Sequence, residues 1–172
     1  MQTYVKYPNQ IKLRLGLPTS TQLRDGLIRL RSFPLHGQMP FHASMIWSYE
    51  VIELYKECGW SSAAKPDQLL TALANSHTVI SAWYAETLVG LGNAISDGAL
   101  VVYYPHLLVR PAFQRQGIGR RIIQALQSRY AGYHQQILLA VKDAVDFYQH
   151  CGFQKARSVE PMWIYDDSDL QI

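Results

Sequence analysis

The chain has 172 residues, of which 48% are hydrophobic and 17% charged, and its formal net charge at pH 7 is +3. Such a length and composition describe one folded domain that buries about two-thirds of its unfolded surface, and they exclude a disordered chain. The charge is too small for a protein that gives a whole face to nucleic acid, and no apolar run is long enough to span a membrane.

In chain order, Ile11–Leu15 and Ile28–Arg31 alternate apolar and polar residues with period two and are predicted to be an early pair of strands, with turn chemistry from Pro18 to Gly26 between them. Residues 34–42 contain Pro34, Gly37 and Pro40 and are predicted to be a loop. The spacing of Ile46, Tyr49, Ile52, Leu54 and Tyr55 predicts a helix from about Ser44 to Cys58, stopped by Gly59. A second helix follows Pro66, with Leu69, Leu70 and Leu73 on one face. The period then changes to two. Thr78–Tyr84 and Thr87–Ile95 flank Ala85-Glu86 as a hairpin, and Asp97-Gly98 turns into a long strand from Leu100 to Val109. Pro105 lacks a ladder donor and fits a bulge within that strand.

A short glycine-bearing turn leads next into an amphipathic helix that buries Ile118, Ile122, Ile123, Leu126 and Tyr130 and ends near Gly132. Ile137–Val141 is predicted to be a strand. Asp143 and Asp146 resemble a capping box opening a short helix that ends at Gly152. Phe153–Ala156 and Met162–Tyr165 are predicted to close the sheet as an antiparallel pair, and Asp166, Asp167 and Asp169 form a solvated tail. The elements together predict an α/β (α+β) fold with a mixed, mostly antiparallel central sheet flanked by helices. We expect one domain over 1–172, with residues 1–44 as N-terminal strands and loop and 45–165 as its core.

The turn before the third predicted helix is the most informative segment. The amides of Gly117, Ile118 and Gly119 and the first helical turn have no intrahelical acceptors and carry the positive end of the helix dipole, so they can seat a diphosphate. Glycine keeps side chains off that surface. No Asp or Glu occurs between Asp97 and Asp143, whereas Arg110, Arg115, Arg120, Arg121 and Arg129 all do, which points to a polyanionic ligand. The spacing fits neither a P-loop, since Arg120, Arg121 and Ile122 follow the glycines, nor a dinucleotide fingerprint, whose third small residue is replaced by Ile122.

Gln114-x-x-Gly117-x-Gly119 resembles the diphosphate-binding motif of the GCN5-related N-acetyltransferases (GNAT family), and Phe147-Tyr148-Gln149-His150-Cys151-Gly152-Phe153 resembles that family's F-Y-x-x-x-G-F segment about 30 residues downstream. The resemblance implies a GNAT-like acyl-CoA N-acyltransferase that moves the acetyl group of acetyl-CoA to a primary amine, with a small molecule expected as acceptor. It implies that Leu107, Leu108 and Val109 line the pantetheine arm, with an amide near Val109 polarising the thioester carbonyl. It also implies that Gln114, Arg115, Gln116, Gly117, Ile118, Gly119 and Arg120 hold the diphosphate. By the same resemblance Phe147 is expected to border the cofactor, Tyr148 is the candidate to give a proton to the departing sulfur, and Asp143 stands where relatives carry an Asn that contacts the cofactor, although as a helix cap it needs no ligand.

His106, at the level where relatives place an acid, is the candidate general base, since an unperturbed imidazole titrates near pH 6.5. Glu50, Glu53 and Glu57 share one helix face; they are either a solvated face or an acidic stripe that attracts a cationic acceptor. Cys58 and Cys151 lie far apart, and neither they nor the six histidines have metal-ligand spacing, so no metal is expected. The N-terminal stretch shows no leader pattern, which makes the cytoplasm the default address. The alternatives that stay open are a catalytically silent acyl-CoA-binding regulatory module and an acetyltransferase for protein N-termini or lysines; a homodimer is also compatible with the sequence.

Overall fold

The computed structural model describes residues 28–33 and 41–164. The predicted strand Ile11–Leu15 and the acidic tail lie outside the described residues. The elements are β1 (Ile28–Phe33), α1 (Phe41–Glu57), α2 (Pro66–Ala74), β2 (Thr78–Tyr84), β3 (Thr87–Ser96), β4 (Val101–Tyr103), β5 (Leu107–Val109), α3 (Ile118–Arg129), β6 (Gln135–Ile137) and α4 (Val145–His150). Short 3-10 turns cover Ser61–Ala64, Pro111–Phe113 and Lys142–Ala144.

The strands form one sheet in the order β1-β2-β3-β4-β6, with β5 also paired to β3. All pairings are antiparallel except the parallel pair β4 and β6. The hairpin turns at Ala85-Glu86 as predicted, and Ala85 takes the positive φ that so tight a turn requires. β2 and β3 are buried along almost their whole length because both faces are covered. On one face Ile80, Ala82, Val89 and Ala94 meet the α3 stripe of Ile118, Ile122, Ile123 and Leu126. On the other, Val79, Trp83, Leu88 and Leu91 meet Trp47, Val51, Leu54 and Tyr55 of α1 and Leu69 and Leu73 of α2.

Two glycines set how closely α3 lies on the sheet. A Cβ on Gly92 would stand 2.7 Å from Ile122 Cγ2, and one on Gly90 would stand 3.0 Å from Ile122 Cδ1. The predicted stripe, Tyr130 included, is fully buried.

The predicted strand from Leu100 to Val109 is interrupted. Gly92 pairs with Leu107 and Ile95 with Tyr103, so two residues of β3 stand opposite three, Tyr104 to His106. The surplus residue is the bulge that Pro105 foreshadowed. Asn93 pins it from across the sheet: its amide donates to His106 O at 3.2 Å, and its Oδ1 accepts the His106 amide at 3.1 Å.

Further differences follow the same logic. The predicted strand Ile137–Val141 is instead Gln135–Ile137, because parallel pairing holds only beside β4; beyond Tyr103 and Ile137 the two chains part. Phe153–Ala156 and Met162–Ile164 form no strands, and Met162 and Ile164 are exposed. The helix Ser44–Cys58 begins earlier, at Phe41. No described helix is long and apolar enough to cross a membrane.

Candidate active site

β5, the turn that follows it, α3 and α4 meet at the place where β4 and β6 part. On either side of β5, Arg110 donates its amide to Val89 O and His106 O accepts from the Asn93 amide, so Arg110, Leu108 and His106 turn their backbone groups toward β3. By the alternation of an antiparallel ladder, the amides of Leu107 and Val109 point the other way, into the gap beside β6. The Val109 carbonyl on that side is taken by Gln114 Nε2 at 3.0 Å and by the Cys58 thiol at 3.4 Å. Burial pushes the Cys58 thiol up to about 11, which keeps it a weak donor and no nucleophile.

Gln114 thus folds back onto the strand and starts the turn. Arg115 adopts φ 59° and Gly117, the residue capping α3, adopts φ 80°. Two left-handed residues so close together curl the chain and turn successive amides to one side. The first backbone donor of the helix with an acceptor is Arg121, which bonds Gly117 O; the amides of Gln116 to Arg120 find no backbone acceptor among the described residues. A Cβ on Gly117 would meet nothing within 4 Å, so the space before it is open. The Gln116 side chain turns back to donate Nε2 to Ala112 O at 3.2 Å, and its Oε1 is buried without a partner among the described residues. On the far side of Gly119, Phe147 Cζ and Val109 Cγ2 would lie 3.4 and 3.7 Å from an added Cβ, so α3, α4 and β5 converge on this residue. This arrangement fits a diphosphate followed by an extended, amide-bearing arm.

Tyr148 stands beside that convergence, edge-on to Phe147 and Phe153 at ring distances of 5.0 and 5.9 Å. Its hydroxyl has no partner among the described residues and is not sealed from solvent. Burial of the ring, then the nearby Cys151 and Tyr103, push it up to about 12, so it stays protonated and can give a proton away.

His106 sits in the bulge, facing α1. Its Nδ1 lies 2.6 Å from the Tyr55 hydroxyl, and its ring packs edge-on against Tyr55 and Trp60. Burial holds the imidazole well below its usual range, at about 4, and drives the Tyr55 hydroxyl above its usual range. Tyr55 is fully buried and has no other acceptor among the described residues, so its O–H is assigned as the donor to Nδ1, which leaves the proton of the neutral ring on Nε2. Nε2 has no partner among the described residues and is not sealed off. His106 borders a cleft of about 290 Å³ between Ser61, Ser62, Lys65, Gln68 and Leu69. Ser62 Oγ is buried on that wall without a partner.

Arg110 departs from the expected role. It is buried, its Nε donates to Leu88 O at 2.6 Å, Nη2 bonds Glu50 at 3.1 Å and Nη1 bonds Glu57. Glu50 also accepts the Leu88 amide at 2.9 Å. The arginine expected among the ligands of a polyanion therefore clamps α1 to β3 and β5. The acidic stripe is correspondingly closed: Glu50 and Glu57 are committed to Arg110, and Glu53 pairs with Lys56 at 3.0 Å. The capping box is absent too. Asp143 is exposed within a 3-10 turn, and α4 starts after Ala144 with no side-chain cap.

Tyr55, Asn93 and the Ser61–Leu69 wall were missed because the sequence marks them only as helix core, strand or turn, whereas Trp60 stands out in the sequence as one of a group of aromatic residues some of which could line an acceptor pocket. Among the described residues, no group of three or more His, Cys, Asp or Glu could hold a metal ion.

The profile of the Acetyltransferase (GNAT) domain matches residues 50–161. An uncharacterized N-acetyltransferase, ycf52, of Pyropia yezoensis is 32% identical over 114 residues, which cover 62% of this chain and 64% of that protein. The chain spans about 60% of the length of two of the curated relatives it matches and 29% of a third. A GNAT family acetyltransferase from Streptococcus pneumoniae TIGR4 superposes with a TM-score of 0.64 at 24% identity, over 80% of this chain and 98% of that one. An aminoglycoside N-acetyltransferase solved in complex with CoA superposes with a TM-score of 0.56 at 13% identity, over 81% and 93%. The profile match, spanning the bulged strand, the glycine turn and the Phe147-Tyr148 segment, establishes that the chain belongs to the GNAT acetyltransferase family.

Proposed function

We propose that the protein is an acetyl-CoA-dependent N-acetyltransferase that acts on a small primary amine. The observation that carries this reading is the row of amides from Gln116 to Arg120, which have no backbone acceptor among the described residues, before an open Gly117 and beside the outward amides of Leu107 and Val109. The turn amides and the positive end of α3 would hold the diphosphate, and the β5 amides the pantetheine arm and the thioester oxygen. Acetyl-CoA supplies an activated acyl carbon. The amine nitrogen bonds to that carbon, the carbon–sulfur bond breaks, and Tyr148 gives the sulfur its proton. The proton shed by the amine passes to solvent, from which Tyr148 is restored.

With its pKa near 4, His106 does not compete for the proton of an alkylammonium, which titrates near 10. In this reading the free amine enters from the side of the cleft already deprotonated.

The test is thermal stability against acetyl-CoA, followed by release of free thiol with an amine panel. Ligand at about 100 times its Kd stabilises the protein by about 2.7 kcal/mol. Gly117→Glu, which puts a carboxylate before the amides, should keep the fold and lose that stabilisation. An undiminished shift in the variant would remove the cofactor seat from residues 114–120.

A further inference from the structure

At the residue where β5 begins, Asn93 holds the chain by both ends. The register that pairs Gly90 with Val109, Leu91 with Leu108 and Gly92 with Leu107 extends to Asn93 and His106, and in a regular ladder those two residues would exchange two main-chain bonds. The main chain makes one of them: the Asn93 amide donates to His106 O at 3.2 Å. The Asn93 side chain takes the other, since its Oδ1 accepts the His106 amide at 3.1 Å.

The side chain is itself fixed from behind. Asn93 and Ser76 are both buried, and Asn93 Nδ2 donates to Ser76 Oγ at 2.9 Å. The Ser76 hydroxyl gives its own proton to Ala72 O at 3.0 Å, so toward Asn93 it can only accept. Were the Asn93 amide turned over, its NH2 would face the His106 amide, donor against donor.

A trans peptide points its C=O and N–H in opposite directions. The peptide that offers His106 O to Asn93 therefore aims the Leu107 amide away from β3, into the gap beside β6. A grip on both the N–H and the C=O of His106 keeps that peptide from rotating. Pro105, the residue before it, has no N–H to help.

We propose that Asn93 is a positioning residue for acetyl-CoA: through His106 its side chain holds the Leu107 amide at the angle the pantetheine arm requires, and Ser76 keeps Asn93 in that orientation. The inference rests on the acetyl-transfer reading above and adds the part that aims the strand amide.

The experiment measures kcat/KM for acetyl-CoA by thiol release with the best amine of the panel, and inhibition by ADP, which has a diphosphate and no arm. Asn93→Leu keeps the volume and removes both polar atoms; kcat/KM should fall about ten- to a hundredfold while inhibition by ADP stays within about threefold of the parent. Asn93→Asp keeps an oxygen for the His106 amide and can accept the Ser76 proton, so it should recover most of the loss. Ser76→Ala frees the Asn93 amide to turn and should lower kcat/KM severalfold, again with ADP inhibition intact; it decides alone if Asn93→Leu does not fold.

Unchanged kcat/KM in Asn93→Leu or Ser76→Ala, or ADP inhibition lost in step with acetyl-CoA, overturns the positioning role while acetyl transfer stands. So does an Asn93→Asp variant as impaired as Asn93→Leu. A parent protein that binds acetyl-CoA and acetylates no amine overturns acetyl transfer itself, and one that ADP does not inhibit overturns the diphosphate seat, each taking the positioning role with it.

Discussion

Arg110 offers the sharpest test of how the site is built, because the sequence and the structure give it different work. Replacing it with Met keeps most of the side-chain volume and removes the guanidinium. Three hydrogen bonds vanish, to Leu88 O, Glu50 and Glu57. The two carboxylates fare differently. The Glu57 side chain is 47% exposed and can turn to water, whereas that of Glu50 is 16% exposed and remains held by the Leu88 amide. One charge is therefore stranded.

Breaking a buried pair from one side costs about 3–5 kcal/mol, and the escape of Glu57 lowers that to about 2–4 kcal/mol. For a domain of this size the melting temperature should drop by roughly 5–15 °C. Differential scanning fluorimetry with and without acetyl-CoA reads both quantities at once. We expect the ligand-free protein to melt earlier and the acetyl-CoA shift to persist. Adding Glu50→Gln in the Arg110→Met background should recover about 1 kcal/mol or more, since it removes the stranded charge and keeps an acceptor for the Leu88 amide. An unchanged melting temperature combined with loss of the acetyl-CoA shift would refute the structural clamp and return Arg110 to the cofactor.

Gly92→Ala should destabilise by about 1–3 kcal/mol, since the new methyl would stand 2.7 Å from Ile122 Cγ2; a urea midpoint equal to that of the parent would contradict the close approach of α3. Tyr148→Phe should lower kcat about a hundredfold with little change in the KM for acetyl-CoA, and steady-state kinetics that show full turnover would assign the proton elsewhere. Acid should weaken the fold through His106: burial lowers its pKa to about 4, so between the usual histidine value and pH 4 the unfolded chain binds a proton that the folded chain refuses. Stability falls as pH drops through that window, by at most about 3 kcal/mol. Denaturation of His106→Gln at pH 7.5 and 4.5 should show a smaller loss than the parent, and parallel losses would contradict the burial of a neutral ring.

The parts legible in the sequence were those that obey a local rule. The α3 stripe follows the 3.6-residue period, the hairpin has an obvious two-residue turn, and the glycine turn has its spacing. Pro105 even marked the bulge, because a proline cannot join a ladder. What was not legible depends on contacts distant in sequence. Glu50 and Glu57 look like a solvated face until β5, some 55 residues later, brings Arg110 beneath them. Asp143 looks like a cap until the chain tightens into a 3-10 turn. The tautomer of His106 is set by Tyr55, whose helical spacing marks it only as core.

The surplus residue at the bulge also changes parity. Val102 and Tyr104 pack on the α3 side, and so do Leu107 and Val109, although even numbers have given way to odd ones. Were the strand continuous, alternation would send the His106 ring to the α3 side with Val102 and Tyr104, away from Tyr55 and Trp60. A single inserted residue thus decides which half of the molecule owns the imidazole, and deleting Pro105 would swing His106 away from the cleft without removing any residue that lines it.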